Sequence, residues 1–141
     1  CIGRMILLAV RPRRFSMGDR PAPRRGEIWY VDFDPARGSE QGGKRSALVI
    51  QNDAGNASER YPNTIVLAMT TKGKEIPFHV LIPLGPGTGL RETSWVKCEQ
   101  ILTISKVRLV GEGPVGRVPR EELKRVEVAV MLSLGIGVSP K

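Results

Sequence analysis

The sequence is poor in the residues that usually announce chemistry. Among 141 residues there are two cysteines, Cys1 and Cys98, and one histidine, His79. Cysteines so placed form neither a disulfide framework nor a metal-ligand spacing, and a reducing cytoplasm fits such usage. A single histidine cannot build a zinc site. Within Phe78-His79-Val80-Leu81-Ile82 it reads as the polar face of a strand rather than as a catalyst. No apolar run approaches the roughly 20 residues of a membrane-spanning helix, so no membrane partner is expected. The length fits one soluble globular domain around a single core.

Acidic residues are also few, 14 against 22 lysines and arginines, for a net charge of +8. That excess suggests nucleic acid, but its distribution weakens the argument. Residues 1 to 25 hold seven arginines against Asp19, a net of +6, which leaves +2 for residues 26 to 141. The leading segment has a short apolar run, Met5 to Val10, followed by Arg11-Pro12-Arg13-Arg14. That is the wrong order for a secretory signal, and no small-residue cleavage site follows. Residues 1–24 read as a disordered basic extension, with Met17 as the natural start; an arm that tethers nucleic acid is the functional alternative. Residues 137–141 read as a flexible end.

What is present is concentrated between Gly26 and Asn52. Ile28 to Phe33 mixes apolar and polar side chains in a strand that ends at Asp34-Pro35, where proline cannot donate to a ladder. Ala47-Leu48-Val49-Ile50 is a continuous aliphatic run of the kind buried on both faces. Between them a polar loop carries Ser39, Glu40, Gln41, Lys44 and Arg45, with Gly38, Gly42 and Gly43 free to take positive φ or to let a ligand approach. A loop anchored on two strands is where function is expected.

Further along, Asp53 to Asn63 is rich in turn residues and too broken for a regular helix. Thr64 to Thr71 reads as a buried strand ending in two hydroxyls. Phe78 to Leu84, Thr93 to Lys97 and Glu99 to Ser105 read as further strands, and Val107 to Val110 as a short continuation. Gly85-Pro86-Gly87-Thr88-Gly89 invites a phosphate-loop reading, which fails because neither Gly-Lys-Ser/Thr nor a helix pattern follows; a hairpin turn is expected. The last element changes period. Pro119 suits a first helical turn, Glu121 and Glu122 favour the positive end of the dipole, and Leu123, Val126, Val130 and Leu134 fall on one stripe before Gly135. The fold class is therefore mainly β with a C-terminal α-helix (α+β), a small twisted barrel or sheet with the helix packed on it. Trp29, Tyr30 and Trp95 are expected in the core or at a dimer contact rather than stacked on bases.

The segment Gly38-Ser39-Glu40-Gln41-Gly42-Gly43-Lys44-Arg45, with its flanking strands, resembles the MazF/PemK family of toxin endoribonucleases over about residues 25–136. The resemblance implies an SH3-like barrel, CcdB/MazF-like, acting as a homodimer. It implies sequence-specific cleavage of single-stranded RNA without a metal or other cofactor, to a 2′,3′-cyclic phosphate and a 5′-hydroxyl. It also implies restraint by a cognate MazE-like antitoxin whose acidic C-terminal tail lies in the basic groove. Arg45, Thr70 and Glu40 match the family's catalytic positions, most firmly the first two. Ser39, Gln41, Lys44, Asn52, Thr71 and Lys72 are the expected substrate contacts. Without the resemblance each has a plainer reading: a solvated loop charge for Arg45, a strand residue for Thr70, a surface ion-pair partner for Glu40.

Independent chemistry says what these groups would do. A metal-free cut must activate a 2′-hydroxyl, neutralise the pentacoordinate phosphate and protonate the leaving 5′-oxygen. Arginine is a poor base but a good bidentate phosphate ligand, so Arg45 is assigned first to charge stabilisation and only second to proton transfer. Glu40 is either the base or the anchor of Arg45. The chain departs from the family in three places: Ser46 replaces a common proline, Lys44 stands where some relatives have histidine, and the N-terminal arm has no counterpart. Two rival readings use the same barrel, a non-catalytic CcdB-like gyrase inhibitor and a plain RNA-binding module. Neither needs Arg45 and Thr70 together.

Overall fold

The computed structural model describes residues 20–33 and 43–137. The arm up to residue 19, the loop 34–42 with Ser39, Glu40 and Gln41, and residues 138–141 lie outside the described residues. Among the described residues, seven strands form one antiparallel sheet: β1 (Glu27–Asp32), β2 (Lys44–Val49), β3 (Asn63–Thr70), β4 (His79–Ile82), β5 (Ser94–Ser105), β6 (Leu109–Val110) and β7 (Gly116–Arg117). Two helices accompany it, α1 (Asp53–Ala57) and α2 (Arg120–Leu134). The order across the sheet is β4-β5-β3-β2-β1-β6, with β7 also on β1. This is the expected mainly-β class with a C-terminal helix, realised as a curled half-barrel.

Alternation explains the two apolar faces. Ile28, Leu48, Leu67, Met69, Val80, Ile82, Val96 and Cys98 point to one side, where Val126 and Ala129 of α2 close over them. Trp29, Val31, Ala47, Val49, Val66, Ile104 and Leu109 form the core on the other side. The run Ala47-Leu48-Val49 is fully buried, as a central strand covered on both faces must be. Trp29 is core, its Nε1 donating to Glu27 at 3.0 Å, whereas Tyr30 is exposed. The Cys98 thiol is buried and its pKa is pushed up to about 12, first by desolvation and then by Glu99, so it is not a nucleophile.

Several expectations are corrected. The basic extension does not run to residue 24: Arg20 Nη1 donates to Leu109 O and Gly111 O at 2.6 and 2.7 Å, Ala22 packs on the second core and Pro23 is buried. Residues 20–24 are therefore part of the fold. The two strands expected between Thr93 and Ser105 are one, β5, because the polar residues between them belong to an irregularity. The β3–β5 register jumps from Leu67↔Ile101 to Met69↔Val96, leaving Lys97 to Gln100 opposite Ala68 alone. On α2, Leu134 is exposed and Ala129 takes its place in the core, since a small residue fits where the helix lies against the sheet. Gly135 ends the helix at φ 74°, its N–H bonding Leu132 O and Met131 O. The glycine-rich segment does connect hairpin partners, β4 and β5, but through the wide loop 83–93 rather than a tight turn.

The stretch expected to be non-helical contains a single helical turn, α1, held from outside. The Asn52 side chain caps it, accepting from Gly55 N at 2.8 Å. Buried Asn56 links Gln51 and Thr64, and the Lys106 ammonium donates to Gly55 O and Ser58 O at 3.0 and 3.1 Å. Burial of Lys106 lowers its pKa from 10.5 to about 8. In the unfolded chain the proton stays on until about pH 10.5, while the folded protein releases it from about pH 8. Stability from this group is therefore flat below pH 8 and rises between pH 8 and 10.5. The neutral amine still offers a hydrogen to each carbonyl. Urea midpoints measured across this range are expected to rise for wild type relative to Lys106→Met; parallel curves would contradict the assignment.

Candidate active site

The hairpin of β1 and β2 brings the polar loop back to where it started. Asp32 pairs with Lys44, and Phe33 N–H donates to Gly43 O at 2.9 Å, closing the loop at its base. Gly43 makes the entry to β2 at φ 85°, a conformation that a side chain would strain. Lys44 and Arg45 follow at once and both are exposed. Arg45 lies beside Val31 in the β1–β2 register.

The other half of the site comes from β3. The last β2–β3 pair is Ala47↔Ala68. Arg45 and Thr70 each stand two residues beyond it, which by the two-residue period puts them on one face of adjacent strand ends. Small side chains at Ala47 and Ala68 form the floor behind them. Thr70 Oγ1 accepts from Lys72 N at 3.0 Å, an interaction that orients the hydroxyl and leaves its own hydrogen to donate. Thr71 and Lys72 are exposed in the turn that follows. Lys44, Arg45, Lys72 and Lys74 thus gather positive charge at one end of the sheet, suited to a polyanion.

The expected contacts do not all converge. Arg45, Thr70, Lys44, Thr71 and Lys72 share this end, and the loop of Ser39, Glu40 and Gln41 leaves from it. Asn52 is elsewhere: it follows the opposite end of β2, whose last residue Val49 lies roughly 13 Å along the strand from Arg45 at about 3.3 Å per residue, and its side chain caps α1. Trp95, expected in a core or dimer contact, is half-buried and is the register partner of Thr70 on β5. Nothing in the sequence marks that neighbour, because the β5 irregularity resets the register just before it. Among the described residues no three His, Cys, Asp or Glu side chains gather to hold a metal ion, and no helix is long and apolar enough to cross a membrane.

Comparison with known proteins agrees with the fold. The family profile of PemK-like, MazF-like toxins of type II toxin–antitoxin systems matches residues 24–134. Endoribonuclease MazF9 of Mycobacterium tuberculosis is 41% identical over 117 residues, spanning 80% of this chain and 97% of the relative. Endoribonuclease EndoA of Bacillus subtilis is 37% identical over 115 residues, spanning 80% and 95%. Among solved structures, MazF from Deinococcus radiodurans superposes with a TM-score of 0.69 at 25% identity, over 82% of this chain and 98% of that one. A mycobacterial endoribonuclease in complex with its cognate antitoxin gives 0.67 at 24% identity, over 84% and 100%. From Arg24 to the end of α2, the chain belongs to the PemK-like, MazF-like family of type II toxin–antitoxin toxins.

Proposed function

We propose that the chain is a toxin endoribonuclease that cuts single-stranded RNA at a short recurring sequence, without a metal, leaving a 2′,3′-cyclic phosphate and a 5′-hydroxyl. The observation that carries this reading is the juxtaposition of Arg45 and Thr70 on neighbouring strand ends, amid the lysines that would hold the RNA backbone. The guanidinium would bind two non-bridging phosphate oxygens and stabilise the charge that grows as the 2′-oxygen attacks. The Thr70 hydroxyl, already oriented by Lys72 N–H, would donate to the same phosphate. Glu40, five residues before Arg45 in the sequence, would take the 2′-hydroxyl proton or hold the guanidinium. Ser39, Gln41, Lys44, Thr71 and Lys72 would line the path of the strand. Asn52, at the far end of β2, would meet a distant nucleotide rather than the scissile phosphate.

The antitoxin complexes among the structural neighbours, including MazE-MazF from Deinococcus radiodurans, support a cognate antitoxin for this chain as well. An acidic tail laid over Lys44, Arg45 and Lys72 would occupy the path of RNA. We also propose a homodimer; sedimentation as a monomer at micromolar concentration would count against it.

The test is incubation of purified protein with a long single-stranded RNA in excess EDTA, mapping the cut positions and their end groups. Wild type is expected to cut at one recurring sequence with cyclic-phosphate ends. Thr70→Val, which keeps shape and loses the hydroxyl, is expected to fall about 100-fold in kcat, with Thr70→Ser within about tenfold of wild type. No cleavage of any RNA by wild type would sink the reading in favour of a non-catalytic binding module.

A further inference from the structure

We propose that His79 and Trp95 are positioning residues for Thr70 and Lys72, fastening the turn after β3 so that the hydroxyl and the ammonium meet the RNA together. The proposal rests on the endoribonuclease reading of the site. Three consecutive turn residues have three different holders. Lys72 N–H donates to Thr70 Oγ1 at 3.0 Å. Gly73 lies so close on the indole of Trp95 that a Cβ there would stand 2.1 Å from Cγ and 2.5 Å from Cβ of the tryptophan. Lys74 N–H donates to His79 Nδ1 at 3.1 Å.

The holders are themselves fixed. Trp95 is the register partner of Thr70 on one side and of Leu81 on the other, so its ring lies on the same face as the catalytic hydroxyl. The His79 side chain is 7% exposed, and its Nε2 stands 3.4 Å from Glu99 Oε2. With Nδ1 accepting, the proton of the neutral ring sits on Nε2, toward that carboxylate. The charged groups around this imidazole are Glu99 and its register partner Lys97 from β5, and Lys72, Lys74 and Glu75 from the turn. The Glu121, Lys124 and Arg125 side chains of α2 line a groove with Val80, on the opposite face of β4.

Removing the acceptor at Nδ1 would leave the Lys74 N–H without this partner. The turn would then keep the Trp95 contact, the bond to the catalytic hydroxyl itself and the bond from Ile76 N–H to Lys74 O. Thr70 would drift among rotamers and Lys72 would leave its place, a displacement that lowers turnover more than binding.

Four proteins test this: wild type, His79→Asn, His79→Leu and Trp95→Val. Asparagine offers an acceptor near the position of Nδ1; leucine offers none. Steady-state RNA cleavage is followed together with the NMR exchange protection of the Lys74 amide. His79→Leu and Trp95→Val are expected to lose about tenfold in kcat with KM within about twofold. His79→Asn is expected to keep wild-type kcat. Lys74 protection is expected to drop in His79→Leu but not in His79→Asn. Wild-type kcat in His79→Leu, or about a tenfold loss of kcat in His79→Asn, overturns the proposal. Lys74 protection that is unchanged in His79→Leu overturns it without reference to RNA. Should Lys74 respond as expected while wild type cuts no RNA, the clamp is supported and only the endoribonuclease reading of the site falls.

Discussion

Arg45→Ala is expected to lower single-turnover RNA cleavage about 1000-fold while leaving the thermal midpoint within about 2 °C of wild type. Both halves follow from where the residue stands. Arg45 is exposed as the second residue of β2, and among the described residues no hydrogen bond or ion pair holds its guanidinium, so the fold has little to lose. The loss falls on the transition state, which gains charge at the phosphate while the ground state does not, so kcat should carry most of the effect. Arg45→Lys sharpens the test. It keeps the charge and loses the planar fork, so recovery of no more than about tenfold over alanine would mark bidentate binding as the larger contribution. A general loss of RNA affinity, with kcat preserved and KM raised, would assign Arg45 to the groove rather than to the chemistry. Glu40→Gln separates the two candidates for the proton, Glu40 and Arg45: if Glu40 is the base, it removes the acid limb of the rate profile, and if it only anchors Arg45, the limb survives at lower amplitude.

How much of this was legible depended on whether the relevant contact was local. The strands were readable because each carries its own pattern: Ala47 to Val49 is apolar without interruption, and Ile28 and Trp29 divide between the two cores. Arg45 and Thr70 came from family resemblance rather than from spacing; the β2–β3 register then supplies a physical reason for the pair. What stayed hidden is held together across long separations. The helical turn at Asp53–Ala57 depends on an ammonium from Lys106, 51 residues from Gly55, and on side-chain bonds to Gln51 and Thr64. Trp95 could not be placed beside Thr70, nor His79 beside the turn that follows, because the irregularity in β5 shifts the register just where the alternation would have to be followed. Asn52 shows the converse. Its proximity to the polar loop in sequence is undone by the length of β2.

A large effect on stability is expected far from the site, at Gly116. The loop after β4 crosses β7 with backbone against backbone: Arg117 N donates to Gly87 O at 2.8 Å, and a Cβ on Gly116 would lie 2.2 Å from both the carbonyl carbon and oxygen of Thr88. No side chain can rotate away to make room, so the loop or β7 must move. Thr88 is 1% exposed, its hydroxyl donating to Gly85 O and accepting from Leu90 N, which makes the loop stiff. Displacing β7 would also strain its pairing with Glu27 and Ile28 and the start of α2 three residues on. Gly116→Ala should therefore cost about 3 kcal/mol or more, a fall in Tm of roughly 10 °C in a chain this long. Gly87→Ala is the control, because a Cβ there meets nothing within 4 Å. It should be neutral or slightly stabilising by restricting the unfolded chain. Equal midpoints for the two variants would show that the crossing gives way, and that the glycine at 116 is not what lets the loop seat on β7.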